Sequence, residues 1–593
     1  MSNQTDHHDY EQSSVDASQK RSFWSMFVIM MGFTFFSASM WVGLTLANGD
    51  PKIGFSGLSF SNFVWAVLAG NVILGLYTGL LAYPAAKTGL SVHLLARYSF
   101  GTRGSNIPST VLAVTQIGWF GVGVAMFAIP AAWWLTDASW LQGTWFVGGP
   151  REGFFGADKL LPLRLLWTLT VLSGIVMTSS AYFGIKALHI ISVVSVPAIA
   201  VLGGWSAIHA VFLDSPEQIA ANNSSILASK AAEAFDKPGV AEALEAVFSE
   251  TNLVEAAKAE VAPFDKDGKI VASIHASHTN ALARLEALRA GADGAAAEFV
   301  PACEEFVKKV PGVSEKVLAA IKDAAPLPSG REALVNHQPA PAGDNADGKG
   351  GASILIAMVI AISLGIGSFV SGGSCTPDFT RFAKTPRIAV STTVLAFFIG
   401  NSLMFFFGGA AAMVYGKNDI SNVMFIQGLL LPAVVVLLLN IWTTNDNALY
   451  TSGLGLANIT GLPKRFLVLF NGALGTVAAL WLYNHFCGWL TILNTFIPPC
   501  GAILIADFFV RAKRRYPDMK DKKFVCVSPP AVVAWALGSI VALGGFDYLV
   551  HAKWLQFGIP AINGMVVAAV VYLALSAVCP CTKKCKCDAC ETK

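Results

Sequence analysis

Apolar runs fall along this chain at about 24–47, 61–86, 108–135, 163–182, 187–212, 352–373, 388–413, 424–448, 465–484, 488–509, 529–549 and 557–579. Each reaches the ~20 residues that a helix needs to cross the hydrocarbon of a bilayer. Lipid offers no partner to a backbone N–H or C=O, so runs of this length satisfy themselves as helices, and an all-α membrane protein with twelve transmembrane helices is predicted. With 54 % hydrophobic and 13 % charged residues, a 593-residue chain has too little polar surface for a water-soluble globule. The net charge of +3, without a dense basic stripe, gives no support to a nucleic-acid partner.

The cations are sorted by loop. Alternate connections hold Arg97 and Arg103, then Lys186, then Arg381, Lys384 and Arg387, then Lys464 and Arg465, then Arg511, Lys513, Arg514, Arg515, Lys520, Lys522 and Lys523. The opposite loops carry scattered ones such as Lys52, Lys417 and Lys553. The positive-inside rule then puts both termini in the cytoplasm of a multi-pass protein of the plasma (cell inner) membrane. Residues 1–20 are polar and the first apolar run is long enough to span, so no cleavable signal peptide is expected.

This gives a disordered cytoplasmic tail at 1–21, spans one to five at 22–213, an extracytoplasmic insert at 214–350 and spans six to ten at 351–510. A basic cytoplasmic loop at 511–528, spans eleven and twelve at 529–579 and a tail rich in Cys and Lys at 580–593 complete the chain. The insert is rich in Ala, Glu and Lys, with apolar residues at helical spacing in 240–247 and 317–324, and a soluble, mainly helical unit is predicted. Its partner is left open, and residues 340–351 read as a flexible return linker. Asn222-Asn223-Ser224-Ser225 holds two overlapping glycosylation sequons. His7–His8 carries little weight as a metal site. The last cysteines, Cys579, Cys581, Cys585, Cys587 and Cys590, suit a basic tail, lipidation or soft-metal binding.

Within the eighth run, Asn440-Ile441-Trp442-Thr443-Thr444-Asn445-Asp446-Asn447 is too polar to face lipid, and marks a site by default. Asn440, Thr443, Thr444 and Asn447 share one helical face. Hydroxyls and freed carbonyls would make a hard, neutral cage for a small alkali cation, although threonines in membrane helices also bond back to their own helix. Small-residue clusters at 32–39 in the first run and 365–374 in the sixth point to discontinuous helices, with helix packing as the alternative. Gln116, Trp119, Phe120 and Gly123 share a face of the third run. Trp119 could stack a planar ligand with Phe369 opposite, or simply pack in the core. Gln116, Ser368, Ser371 and Asn445 would add neutral donors and acceptors. Asp446 points away from Asn445 and reads as a structural partner for a neighbouring helix, with a proton carrier as the alternative. No nucleophile, base and acid stand out as a catalytic set, so an enzyme is not expected.

Phe33 through Trp41, Lys87-Thr88-Gly89-Leu90 with His93-Leu94-Leu95-Ala96-Arg97, Gln116 through Gly123, Asp378-Phe379-Thr380-Arg381-Phe382 and Asn440 through Tyr450 resemble the cytosine-transporting bacterial branch of the nucleobase:cation symporter-1 family. The resemblance runs along about 22–213 and 352–510. It implies a five-plus-five inverted-repeat, leucine-transporter-like core with two accessory helices, and sodium-coupled symport of cytosine. It assigns Trp119 and Phe369 to the faces of the ring and Gln116, Ser368, Ser371 and Asn445 to its edge. Sodium, the coupling ion, is assigned to carbonyls near Phe36 and Ser39 and to Asn440, Thr443 and Thr444. Pro498-Pro499 would supply a hinge. The insert, the cysteine-rich tail and Ser374-Cys375-Thr376-Pro377 depart from the family pattern. Other nucleobases, hydantoin or allantoin, proton coupling and a non-transporting nucleobase receptor are the alternatives.

Overall fold

The computed structural model describes residues 10–50, 55–154, 160–263, 265, 268–338, 354–417, 420–544 and 558–578. His7–His8, the return linker and the five C-terminal cysteines lie outside the described residues. The first run is two helices, α1 (Phe23–Thr34) and α2 (Ser37–Asn48), bent by 51°. Phe36 between them is extended, with φ −129° and ψ 126°. The next four runs are α3 (Phe60–Thr88), α5 (Asn106–Leu135), α6 (Leu163–Phe183) and α7 (Ile185–Phe212), with a short helix α4 (Val92–Phe100) before α5.

Eight helices, α8 (Pro216–Asn222) to α15 (Gly330–Val335), occupy the predicted insert. Six of them, α9 (Ser224–Ala234) to α14 (Val313–Ile321), surround an apolar core of their own that includes Leu244, Phe248, Phe299, Phe306, Val313 and Val317. Several joints tie this segment to the membrane helices. Gly330 packs against Ala210, the Asn223 amide donates to the Val414 carbonyl at 3.0 Å, and His337 Nε2 meets the Ala47 carbonyl at 3.0 Å. Asn223 is buried and caps α9, so of the two sequon asparagines it presents no amide to a glycan.

The second half repeats the pattern with α16 (Ile354–Ser374), the short α17 (Thr376–Thr380), then α18 (Pro386–Ala396) running through a π turn into α19 (Ser402–Tyr415). After a short α20 (Ile420–Ile426) come α21 (Leu430–Thr460), α22 (Lys464–Asn484), α23 (Phe486–Ala506), α24 (Pro529–Leu543) and α25 (Pro560–Val578). The sixth run breaks later than expected. Its helix passes unbroken through Gly365, Gly367, Gly372 and Gly373 and ends at Ser374, ahead of Thr376-Pro377. Those glycines admit neighbours instead: a Cβ at Gly367 would lie 2.1 Å from the Asn494 amide, and one at Gly373 2.8 Å from Thr78.

Among the described residues, nine helices are long and apolar enough to cross a membrane, and the bent α1–α2 pair brings the number to ten. Helices α21 and α24 cover the other two predicted runs. The octet makes α21 less apolar than its neighbours, and α24 has only 15 residues.

Helix α21 lies against α5, α6, α7 and α22, while α19 lies against α2. This last contact is backbone to backbone: a Cβ at Gly408 would sit 1.9 Å from the Met40 carbonyl oxygen, and one at Gly43 2.4 Å from that of Phe405. Gly408→Ala should therefore destabilise the detergent-solubilised protein by about 1–3 kcal/mol or more, the cost of overpacking a closed interface. An unchanged midpoint of thermal unfolding would contradict that packing.

Candidate functional site

Helix α21 reaches the octet near its middle, and all eight residues from Asn440 to Asn447 except Trp442 are buried. Each threonine has bonded back to its own helix. The Thr443 hydroxyl is 2.9 Å from the Asn440 carbonyl and 3.2 Å from that of Leu439, and the Thr444 hydroxyl is 3.2 Å and 3.1 Å from those of Asn440 and Ile441. A hydroxyl that donates in this way keeps lone pairs for a second partner. The Asn440 amide turns to Met404 Sδ at 3.3 Å.

Six residues expected to hold a planar ring come together around one small cavity. Gln116 and Trp119 from α5, Ser368, Phe369 and Ser371 from α16, and Asn445 from α21 line it with Phe33, Phe36, Gly372, Thr444 and Ala448. The break in the first run supplies Phe36, whose ring meets that of Trp119 edge-on at 4.9 Å and that of Phe369 at 5.9 Å. Trp119 donates its indole N–H to Ser371 Oγ at 2.6 Å. Gln116 donates to Cys375 Sγ at 3.5 Å, and Ser368 to the Gly365 carbonyl at 2.9 Å. The Asn445 amide is anchored by the Phe120 carbonyl at 3.3 Å and Met177 Sδ at 3.1 Å. Gly123 is needed there, since a Cβ on it would come within 2.2 Å of Asn445 Oδ1.

Of the five residues expected at the cation, Phe36 and Thr444 line this cavity, while Ser39, Asn440 and Thr443 do not. The Ser39 hydroxyl turns the other way, to Asn401 Oδ1 at 2.6 Å. Asn401 in turn donates to Asn71 Oδ1 at 2.6 Å, and Asn71 to Ser402 Oγ at 3.1 Å. This amide ladder fastens α2, α3 and the π turn to one another. Sequence reasoning passed over it, although Asn71 and Asn401 are lone amides in otherwise apolar runs. Asp446 is held by the Ser180 hydroxyl of α6, which also accepts the Trp442 indole N–H at 2.7 Å. Among the described residues there is no group of three or more His, Cys, Asp or Glu side chains placed to hold a metal ion.

A family model for permeases for cytosine/purines, uracil, thiamine and allantoin matches residues 14–214 and 333–572. The cytosine permease of Escherichia coli (strain K12) is 37 % identical over 567 residues, covering 96 % of this chain and 94 % of that protein. The purine-uracil permease NCS1 of Arabidopsis thaliana is 33 % identical over 89 residues, 14 % of this chain and 15 % of its own. Among solved structures, Mhp1, a nucleobase-cation-symport-1 family transporter in a closed conformation with bromovinylhydantoin bound, aligns with a TM-score of 0.57 at 14 % identity over 98 % of each chain. That last likeness is one of fold.

The bond from Trp119 to Ser371 pairs a buried donor. Ser371→Ala should lower the stability of the purified protein by about 1–3 kcal/mol, the cost of an unpaired buried N–H, whereas Ser371→Thr should retain most of it. Thermal unfolding followed by tryptophan fluorescence checks this; equal midpoints for the alanine variant and the parent would contradict it.

Proposed function

This chain belongs to the family of permeases for cytosine/purines, uracil, thiamine and allantoin, and within that family we propose that it is a sodium-coupled symporter importing cytosine by alternating access. It is a multi-pass membrane transporter of the nucleobase class rather than an enzyme. One observation carries the finer reading. The aromatic, hydroxyl and amide residues expected to hold a planar base line a single cavity, and the neutral oxygens expected to hold a cation begin on its wall at Thr444.

In this reading a single-ring base lies between Trp119 and Phe369, with Phe36 swinging from its edge-on position to admit it. Aromatic stacking contributes roughly 1–3 kcal/mol per base. Gln116 and Asn445 each offer a donor and an acceptor, as the amine and carbonyl of cytosine require, while Ser368 and Ser371 complete the edge contacts. Sodium is carried as a second substrate. Its ligands in this reading are carbonyls near Phe36 and Ser39 at the break, the Asn440 carbonyl and the Thr443 and Thr444 hydroxyls on α21, a neutral oxygen set that suits a hard monovalent ion. Phe36 and Thr444 belong to both groups, so occupation of either site stiffens the wall of the other, and the coupling is reciprocal.

The same proposal includes α21 and α24 as spans, giving twelve, with α24 and α25 as accessory helices outside a five-plus-five repeat. It places both termini in the cytoplasm of the cell's inner membrane and leaves the segment 214–350 outside as an appendage. Pro498 and Pro499 stand inside α23, where the missing backbone N–H groups make a hinge.

Trp119→Ala should abolish uptake of labelled cytosine by vesicles while the protein remains in the membrane; retained uptake would remove the stacking argument. Thr443→Ala combined with Thr444→Ala should erase the stimulation by sodium, and a parent protein that transports equally well in choline would instead be proton-coupled. Unlabelled uracil and hydantoin should compete poorly, because a pocket that pairs an exocyclic amine leaves polar groups unpaired against a carbonyl analogue. Removing 224–328, which leaves the joints at Asn223, Gly330 and His337, should preserve uptake. A correctly inserted deletion variant without uptake would give this segment a part in gating.

A further inference from the structure

On the face that the positive-inside rule assigns to the cytoplasm, a buried polar cluster lies outside the lining of the cavity. Asp378 stands in α17, between the sixth and seventh spans, and His93 in α4, between the second and third; neither is more than 1 % exposed. One Asp378 oxygen accepts the Val92 backbone N–H at 2.9 Å. The other lies 3.7 Å from His93 Nε2, and Thr451 of α21 stands beside both groups. The second ring nitrogen, Nδ1, is 3.2 Å from Ser109 Oγ. A fully buried carboxyl that faces an imidazole across 3.7 Å is costly in its charged form, and a bound proton removes that cost.

We propose that Asp378 and His93 form a binding site for one exchangeable proton, and that this proton leaves for the cytoplasm when that side of the transporter opens. The site sits where the parts that must separate are joined. Three residues before Asp378, Cys375 Sγ accepts from Gln116 on the cavity wall. Three residues after it, the fully buried Arg381 guanidinium donates to the Tyr450 hydroxyl of α21 at 3.1 Å and to the Tyr10 carbonyl of the N-terminal segment at 2.9 Å. Arg97, one turn beyond His93, reaches Asn458 Oδ1 on α21 at 2.9 Å and Gln12 Oε1 at 2.8 Å. A base leaving the cavity on this side parts α4, α17, α21 and the N-terminal segment, and admits water to the carboxyl.

The groups around the carboxyl set the direction. Burial lifts Asp378 to about 7, against the pull of Arg381, the Val92 N–H and the Thr451 hydroxyl toward the charged form. Burial and the positive charges of Arg381 and Arg97 bring His93 down to about 3, against a backbone hydrogen bond at Thr451, so near neutral pH the proton resides on the carboxyl. Cys375 belongs to the same segment, Tyr450 faces it from α21 and Tyr77 of α3 packs beside Cys375, while α1 carries no titratable side chain. In water the carboxyl returns toward the ordinary value of about 3.9. The closed form therefore has the raised value. Its stabilisation by the proton is complete below the open-form value and is lost as internal pH rises through about 7. Between internal pH 6 and 8 the opening equilibrium should rise about tenfold.

The inference rests on the transporter reading but not on sodium, and its test has two arms on the full-length protein. In reconstituted vesicles at fixed external pH, efflux of preloaded cytosine from the cytoplasmic face should rise with the pH on that face across 6 to 8, and should lose this dependence in Asp378→Asn. A parent protein indifferent to that pH, or a variant that keeps the parent's slope, overturns the link to opening. In nanodiscs without substrate, the infrared carbonyl stretch of a protonated carboxyl should titrate near pH 7 in the parent and be missing from Asp378→Asn; identical spectra overturn the site. His93→Gln should shift that midpoint, and serves if Asp378→Asn fails to insert; an unshifted midpoint overturns the pairing. Cytosine that fails to move at any pH counts against the substrate, whereas the infrared arm still decides the proton.

Discussion

A polar octet in the middle of a 31-residue helix can exist inside a bilayer only where other protein surrounds it, and the packing of this molecule answers that demand. Helices α5, α6, α7 and α22 lie against α21, and the broken first run faces it. Each polar residue is met in a different way. Threonine hydroxyls turn to their own backbone, Asn445 to α5 and α6, and Asp446 to a serine that also takes a tryptophan N–H. The cavity lies between α5, α16 and α21 beside the break in the first run, where the Phe36 ring meets those of Trp119 and Phe369 edge-on.

Close approach of backbones is the second device. In lipid there is little hydrophobic drive to bring one apolar helix to another, so contact depends on van der Waals fit. Gly43 and Gly408 let α2 and α19 touch main chain to main chain, and the amide ladder from Ser39 through Asn401 to Asn71 fixes their register. The second half of the broken helix is thus held firmly, while its junction at Phe35–Phe36 stays extended.

Much of the fold was legible in the chain. Every predicted run corresponds to a helix or a helix pair, because length and apolarity report directly on what lipid permits. The break in the first run was legible too, as small and polar residues in an apolar segment. The break in the sixth was misplaced, since glycine is equally a sign of helix contact, and only the neighbours Asn494 and Thr78 show which role each glycine has. For the site, the types Trp, Gln, Ser and Asn stood out on single helices, but their shared cavity did not, and the side chains of Phe33 and Ala448 had no mark to set them apart from ordinary core.

Sequence alone determined that this chain lives in a membrane, where its helices run and which helix carries the polar load, because the free energy of placing a residue in hydrocarbon is a property of local composition. Tertiary structure decided which of those polar groups look inward to one cavity, which are consumed by their own backbone, and that Asp378 and His93, 285 positions apart in the chain, confront each other. Those outcomes depend on distances between helices, and such distances are fixed by how side chains from remote segments fit together.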